Sequence, residues 1–246
     1  MKYASILTFL AFAACAHATT LVFDDFSGAS IDSGKWSTIL PSADASIVQG
    51  GGVLTTSGRA VLATASEYPT PYLISGSFTM LNDLEHFKIA TRTDLSASSF
   101  YERPGILFAF SNDGNQISIQ RYTSASDWSL LALASFPLNT GEAYSFEVLD
   151  TGSQVTLAIN GVEQLSAASN YGTGDHVAFY SREFQGTATS IDFVSITTVP
   201  DGTSPAILLA FSLALMLGVS VTGRFKMYHC DRIKVYHPEG VEKERV

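Results

Sequence analysis

Apolar side chains in this sequence recur at every second residue, in short runs separated by turn formers, and hardly anywhere at every third or fourth. Tyr72, Ile74, Phe78 and Met80 alternate with Ser75, Ser77 and Thr79. A period of two puts the first set on one face of a β-strand and the second on the other. Tyr144, Phe146 and Val148 alternate with Ser145 and Glu147, and Phe87, Ile89 and Thr91 with His86, Lys88 and Arg92. Ile106 to Phe110 is apolar throughout, the pattern of a central strand covered on both faces. Asn112-Asp113-Gly114 and Asn160-Gly161 read as hairpin turns, the second strongly so because both residues accept positive φ. With Val177 to Ser181, Ile191 to Ile196 and shorter runs near Val22, Ile39, Ile47, Leu54, Val61 and Leu130, about fourteen strands are expected. Two packed antiparallel sheets, an all-β sandwich, is the architecture that buries one face of each.

The ends follow different rules. Charged residues are only 15% of the chain, against roughly 25% in an ordinary soluble domain, and part of that deficit lies in two apolar segments. Residues 1–18 read as a secretory signal: Lys2, an apolar run from Ile6 to Ala14, then Ala16-His17-Ala18 as the small-x-small cleavage pattern at Ala16 and Ala18. Pro205 to Gly223 is uncharged. Its nineteen residues would span about 28 Å as a helix, close to the thickness of the hydrocarbon layer. Arg224 and Lys226 follow, so residues 224–246 are expected to form a cytoplasmic charged tail and 19–198 the exported body. The two cysteines, Cys15 and Cys230, both lie outside that body, which excludes a disulfide framework from it. Residues 19–200 carry 7 Lys and Arg against 18 Asp and Glu, a formal charge of −11, which argues against nucleic acid as a partner.

Between body and span stands Val199-Pro200-Asp201-Gly202, within residues 199–204, followed by the apolar segment and then Arg224. This order resembles a bacterial PEP-CTERM-type sorting signal in a Val-Pro-Asp-Gly variant. The resemblance implies an exosortase-type enzyme as a partner. The body is then expected to be membrane-anchored through residues 205–223, or released from that anchor to the cell surface or matrix.

The body carries a second likeness. Phe23-Asp24-Asp25-Phe26-Ser27-Gly28 with Ile31-Asp32 and Lys35-Trp36, the hairpin Gly152 to Val162, and the closing runs His176 to Ser181 and Ile191 to Ile196 resemble concanavalin A-like jelly rolls of the laminin-G and glucanase type. The likeness implies that the last strand pairs with the first and that the concave sheet binds carbohydrate. It also implies a structural calcium where those strands meet, which nominates Asp25, the turn at Gly51, and Asp192; solvated strand-end carboxylates are the alternative.

Catalytic chemistry is harder to find. Glycan-cleaving members of that fold use Glu-x-Asp-x-x-Glu, which aims paired carboxylates at the substrate. Here Glu142 and Glu147 have the outer spacing, but Tyr144 holds the central position. No catalytic residue is assigned, and no cofactor is expected beyond that calcium. Sugars are held by aromatic stacking and planar donors. The candidates are Tyr101, Tyr122 and Trp128 with Arg92, Arg103 and Arg182, while Trp36 reads as core. The leading expectation is a non-catalytic surface protein that binds or organises extracellular polysaccharide. A glycan-active hydrolase or lyase with an unrecognised carboxylate set, and a purely structural matrix or adhesion module, are the alternatives.

Overall fold

A computed structural model describes residues 18–83, 86–96, 104–124, 127–172, 174–182 and 188–199. The chain divides into a unit ending at Asp201 and a second from Gly202 to Val246, and the described residues all lie in the first. They form fifteen strands in two antiparallel sheets, with no helix among the described residues.

In spatial order the eight-stranded sheet runs β13 (Val162–Ala168), β12 (Gln154–Ile159), β11 (Ala143–Asp150), β6 (Tyr72–Met80), β15 (Ala188–Thr198), β4 (Val53–Ser57) and β3 (Ser46–Gly50). Its eighth strand, β1 (Thr20–Asp24), pairs with β15. The seven-stranded sheet runs β10 (Trp128–Ser135), β9 (Gln116–Tyr122), β8 (Gly105–Ser111), β7 (His86–Thr93), β14 (His176–Arg182), β5 (Val61–Thr64) and β2 (Trp36–Ile39). The first and last strands therefore pair, as the jelly-roll likeness implies.

Alternation explains the packing. β6 is buried at every second residue from Tyr72 to Met80, and its intervening Ser and Thr face outward. Phe78 lies at the centre of an aromatic cluster, its ring centroid 4.9 Å from that of Phe87 and 4.8 Å from that of Phe110. Gly76 on the same inward face has no side chain because the Phe146 ring and the Phe193 carbonyl occupy the space a Cβ would need. β8 is buried along its whole length, as its continuous apolar run requires. The additional strand is β13, the return arm of the Asn160-Gly161 hairpin. Its Val-Glu-Gln-Leu-Ser-Ala-Ala shows one buried position, Leu165, and hence no alternation to read. Both turn residues have positive φ, 51° at Asn160 and 75° at Gly161, which suits the twist of a two-residue hairpin.

The strand ends are held by local polar contacts. Asp24 Oδ1 accepts the Phe26 N–H, and Oδ2 accepts the Trp36 indole N–H at 2.8 Å, with Lys35 Nζ 3.7 Å away. Trp36 is core, as expected, at 2% exposure. A second apolar layer of Val61, Ala63, Ala90, Leu107, Ala178 and Tyr180 lies on the other side of the seven-stranded sheet, with Ile39, Leu95 and Tyr122 packed against it.

Candidate functional site

The side of the seven-stranded sheet that faces away from the main core carries an exposed aromatic pair. Ile117 and Ile119 point into the core, so Ser118, Gln120 and Tyr122 point outward. The β9–β10 pairing sets Trp128 opposite Tyr122, Leu130 opposite Gln120 and, after a bulge, Leu133 opposite Ser118. Tyr122 and Trp128 stack with ring centroids 6.0 Å apart and planes 16° apart. Trp128 is 53% exposed, and Leu130 and Leu133 are exposed beside it. Lys88 Nζ lies 5.6 Å from the Tyr122 ring centroid, within reach of the ring's negative face. Gln120 Nε2 donates to Ser118 Oγ at 2.9 Å. The result is an aromatic shelf at the rim of the sheet, beside an interior already filled by small apolar side chains.

Charge is distributed unevenly. No strand of this sheet contains an Asp or Glu, and its strands hold Lys88, Arg92, Arg121 and Arg182. The strands of the other sheet contain no Lys or Arg and hold Asp24, Glu147, Asp150, Glu163 and Asp192.

Of the six residues nominated for carbohydrate, the structure brings Tyr122 and Trp128 together. Arg92 is turned inward and 5% exposed. It has φ of 53°, which ends the regular alternation of β7. Its Nε donates to both oxygens of the fully buried Asp150, and its Nη2 also donates to that carboxylate. Nη1 donates to the Ser169 and Tyr171 carbonyls at 3.1 and 2.7 Å. The Arg92 N–H donates to Tyr72 Oη, whose hydroxyl pKa is raised, first by burial and then by the Asp150 charge. Arg92 thus ties β7 of one sheet to β11 of the other, and its guanidinium is committed to internal partners. Arg182 ends β14, its backbone opposite that of His86 in β7. Tyr101 and Arg103 lie outside the described residues.

Of the three residues nominated for calcium, Asp25 follows β1, Gly51 lies between β3 and β4, and Asp192 lies in β15. Asp25 is exposed and accepts the Ser27 hydroxyl at 2.7 Å and the Ser27 N–H at 3.1 Å, bonds that hold its carboxyl below the usual range. Asp192 Oδ2 accepts the Ser77 hydroxyl at 2.8 Å. Gly51 has φ of 65° in the β3–β4 turn. Among the described residues no three His, Cys, Asp or Glu side chains come together. Val199 is buried and donates its N–H to the Pro71 carbonyl at 3.1 Å. Ala18 is exposed. Ala16, Pro200, Asp201, Gly202, Arg224 and the segments 205–223 and 224–246 lie outside the described residues.

One further basic residue of this ribbon is partly buried. Arg121 lies opposite Ser129 in the β9–β10 ribbon, on the side of the core isoleucines, with its guanidinium carbon 5.8 Å from the Tyr171 ring centroid. Arg121 Nε and Ser129 Oγ are both buried atoms without a hydrogen-bond partner. The signal was present in the sequence: counting in twos from Ile117 and Ile119 puts Arg121 on the inward face.

No family model matches the chain, and no curated protein matches it. Solved structures do. The chain is similar to a β-glucanase of Bacillus licheniformis, at 8% identity over 72% of this chain and 97% of that one, with a TM-score of 0.57. It is similar to an endo-β-1,3-glucanase of Pyrococcus furiosus, at 9% identity over 74% and 95%, TM-score 0.58. It is also similar to a Bacillus subtilis protein of unknown function with a galectin-like fold, at 14% identity over 72% and 94%, TM-score 0.57. At these identities the likeness is one of fold: a jelly-roll sandwich of the glucanase and galectin type.

Proposed function

We propose that the body is a non-catalytic glycan-binding module of the cell exterior. The observation that carries this reading is the Tyr122–Trp128 shelf, exposed at the rim of a sheet whose strands contain no acidic residue. A stacked aromatic pair offers a flat apolar surface to the C–H face of a sugar ring, and two-carboxylate hydrolysis needs acids that these strands lack. Glucanases among the similar folds make a glycan the natural ligand class, by analogy of fold alone. The export, the anchoring through residues 205–223 and the exosortase-type processing at Val199-Pro200-Asp201-Gly202 complete the same proposal and rest on the sequence. A purely structural matrix module is the second reading, favoured by the apolar filling beside the shelf.

Titration of the chain against neutral and acidic polysaccharide oligomers, with released sugars monitored, tests the first reading. Binding without sugar release, reduced at least tenfold by Trp128→Ala, is the expected result. Sugar release overturns the non-catalytic assignment. Binding unaffected by Trp128→Ala removes the shelf, and no binding at all leaves the structural module.

A further inference from the structure

β7 ends at Thr93 and β11 at Asp150, beside a cavity of about 400 Å³ whose lining includes Arg92 and Gly152. That volume suits a small ligand, whose sites commonly span about 300–1,000 Å³. Arg92 is the one buried residue of the lining, and its guanidinium is committed to Asp150 and to the Ser169 and Tyr171 carbonyls. The same bonds fix the walls. Asp150 also accepts the Gly152 N–H at 2.9 Å, and the two carbonyls that Arg92 holds flank Asn170, a wall residue. The Asp175 carbonyl, on another part of the wall, accepts the Tyr68 N–H at 2.7 Å. The other polar side chains of the lining have no internal partner: the Thr70 hydroxyl, the Asn170 amide and the Asp175 carboxylate make no hydrogen bond or ion pair among the described residues. Asn170 and Asp175 are exposed and Thr70 is half-buried, so this wall can be reached from outside.

We propose that this cavity is a sugar subsite for two adjacent free hydroxyls, with the Asp175 carboxylate as their acceptor and Asn170 and Thr70 as further partners. A carboxylate only accepts, and its two oxygens can take the two O–H groups of a vicinal diol in charge-assisted bonds. Asn170 offers both a donor and an acceptor, which matches hydroxyls that are themselves both. An acidic sugar is disfavoured, because Arg92, the one cation of the lining, is already neutralised by Asp150 and Asp175 adds negative charge. The proposal rests on the glycan-binding reading of the body and adds a second contact to it. Tyr122 pairs with Gly105 at the start of β8, and Thr91, which precedes Arg92, pairs with Ile106. Shelf and cavity therefore lie at the same end of the sandwich. Arg121, next to Tyr122, packs on the Tyr171 ring, and Tyr171 stands between Asn170 and Gly172 of the cavity wall. A polymer stacked on the rings with one sugar can place another in the cavity.

The test uses the whole chain and oligomers of four glycans. Dextran and cellulose oligomers carry adjacent free hydroxyls on every sugar. Internal laminarin sugars, substituted at O3, carry none, and polygalacturonate adds carboxylates. At least one of the first two should bind at least tenfold more tightly than laminarin and polygalacturonate. Asp175→Ala, which keeps the carbonyl bonded to Tyr68, should lower that affinity to the laminarin level, and Asn170→Ala should weaken it in the same direction. Trp128→Ala should weaken the tight ligand and laminarin alike. Retained Trp36 emission shows that each variant is folded. Laminarin or polygalacturonate binding as tightly as the others, or a preference that survives Asp175→Ala, overturns the cavity subsite while the shelf stands. Binding that is lost in Asp175→Ala but untouched by Trp128→Ala overturns the shelf and keeps the cavity. Failure of all four oligomers to bind overturns both.

Discussion

Replacing Arg92 with Met leaves the Asp150 carboxylate, 0% exposed, without its counter-ion and strips the Ser169 and Tyr171 carbonyls of their donor. Removing one partner of a buried ion pair costs about 3–5 kcal/mol, chiefly because the remaining charge is left uncompensated. The loss falls on a domain whose total stability is expected to be about 5–15 kcal/mol. At roughly 2–4 °C per kcal/mol for a body of this size, the melting temperature should drop by about 6–20 °C. Trp36, buried and bonded to Asp24, reports unfolding in urea by its fluorescence, whereas the exposed Trp128 changes little. Arg92→Met/Asp150→Leu should be less unstable than the two single variants predict together, with a coupling of about 1–3 kcal/mol. Glycan affinity at the shelf should be unchanged under conditions where the variant is folded. A loss below about 1 kcal/mol with additive single effects would refute the clamp. A selective loss of glycan affinity in a stable Arg92→Met would return this residue to the binding surface.

Two further outcomes can be checked by the same unfolding assay. Gly76→Ala places a Cβ 2.5 Å from both the Phe146 ring and the Phe193 carbonyl oxygen, so it should destabilise by about 1–3 kcal/mol through overpacking; an unchanged urea midpoint would show that this part of the core yields. Burial pushes the Glu147 carboxyl above the usual glutamate value of 4.5, so its ionisation disfavours the fold as pH rises through that raised value. Glu147→Gln should therefore raise stability at neutral pH and leave it unchanged below about 4.5, and a gain that is equal at both pH values would rule out this cause.

The fold was legible where side chains alternate. β6, β8 and the Asn160-Gly161 hairpin could be drawn from spacing alone, because burial of one face dictates residue type at every second position. β13 could not, since it is an edge strand with one buried residue and tertiary pairing alone makes it a strand. The site was half legible. Tyr122 and Trp128 are six residues apart across a turn, near enough for hairpin pairing to suggest their contact. The role of Arg92 was hidden because its partner, Asp150, lies fifty-eight residues away on the other sheet. Rare positive charge on an acidic body suggests a surface ligand, and burial reverses that inference only once the pair is seen.

The same reasoning explains why charge carries information here that composition concealed. In sequence order, acidic and basic residues are interleaved and the net value is simply negative. Sorted by sheet, the strand acids fall on one side of the sandwich and the strand bases on the other. The Arg92–Asp150 bond is a link across that division, and it cancels one charge from each sheet. Arg121 has no such link among the described residues, and its guanidinium lies against the Tyr171 ring instead. A carboxylate pair suited to glycoside hydrolysis would need two acids converging on one cleft. The strand acids lie on the eight-stranded sheet, where Asp24 and Asp150 are held by internal partners and Asp192 by Ser77.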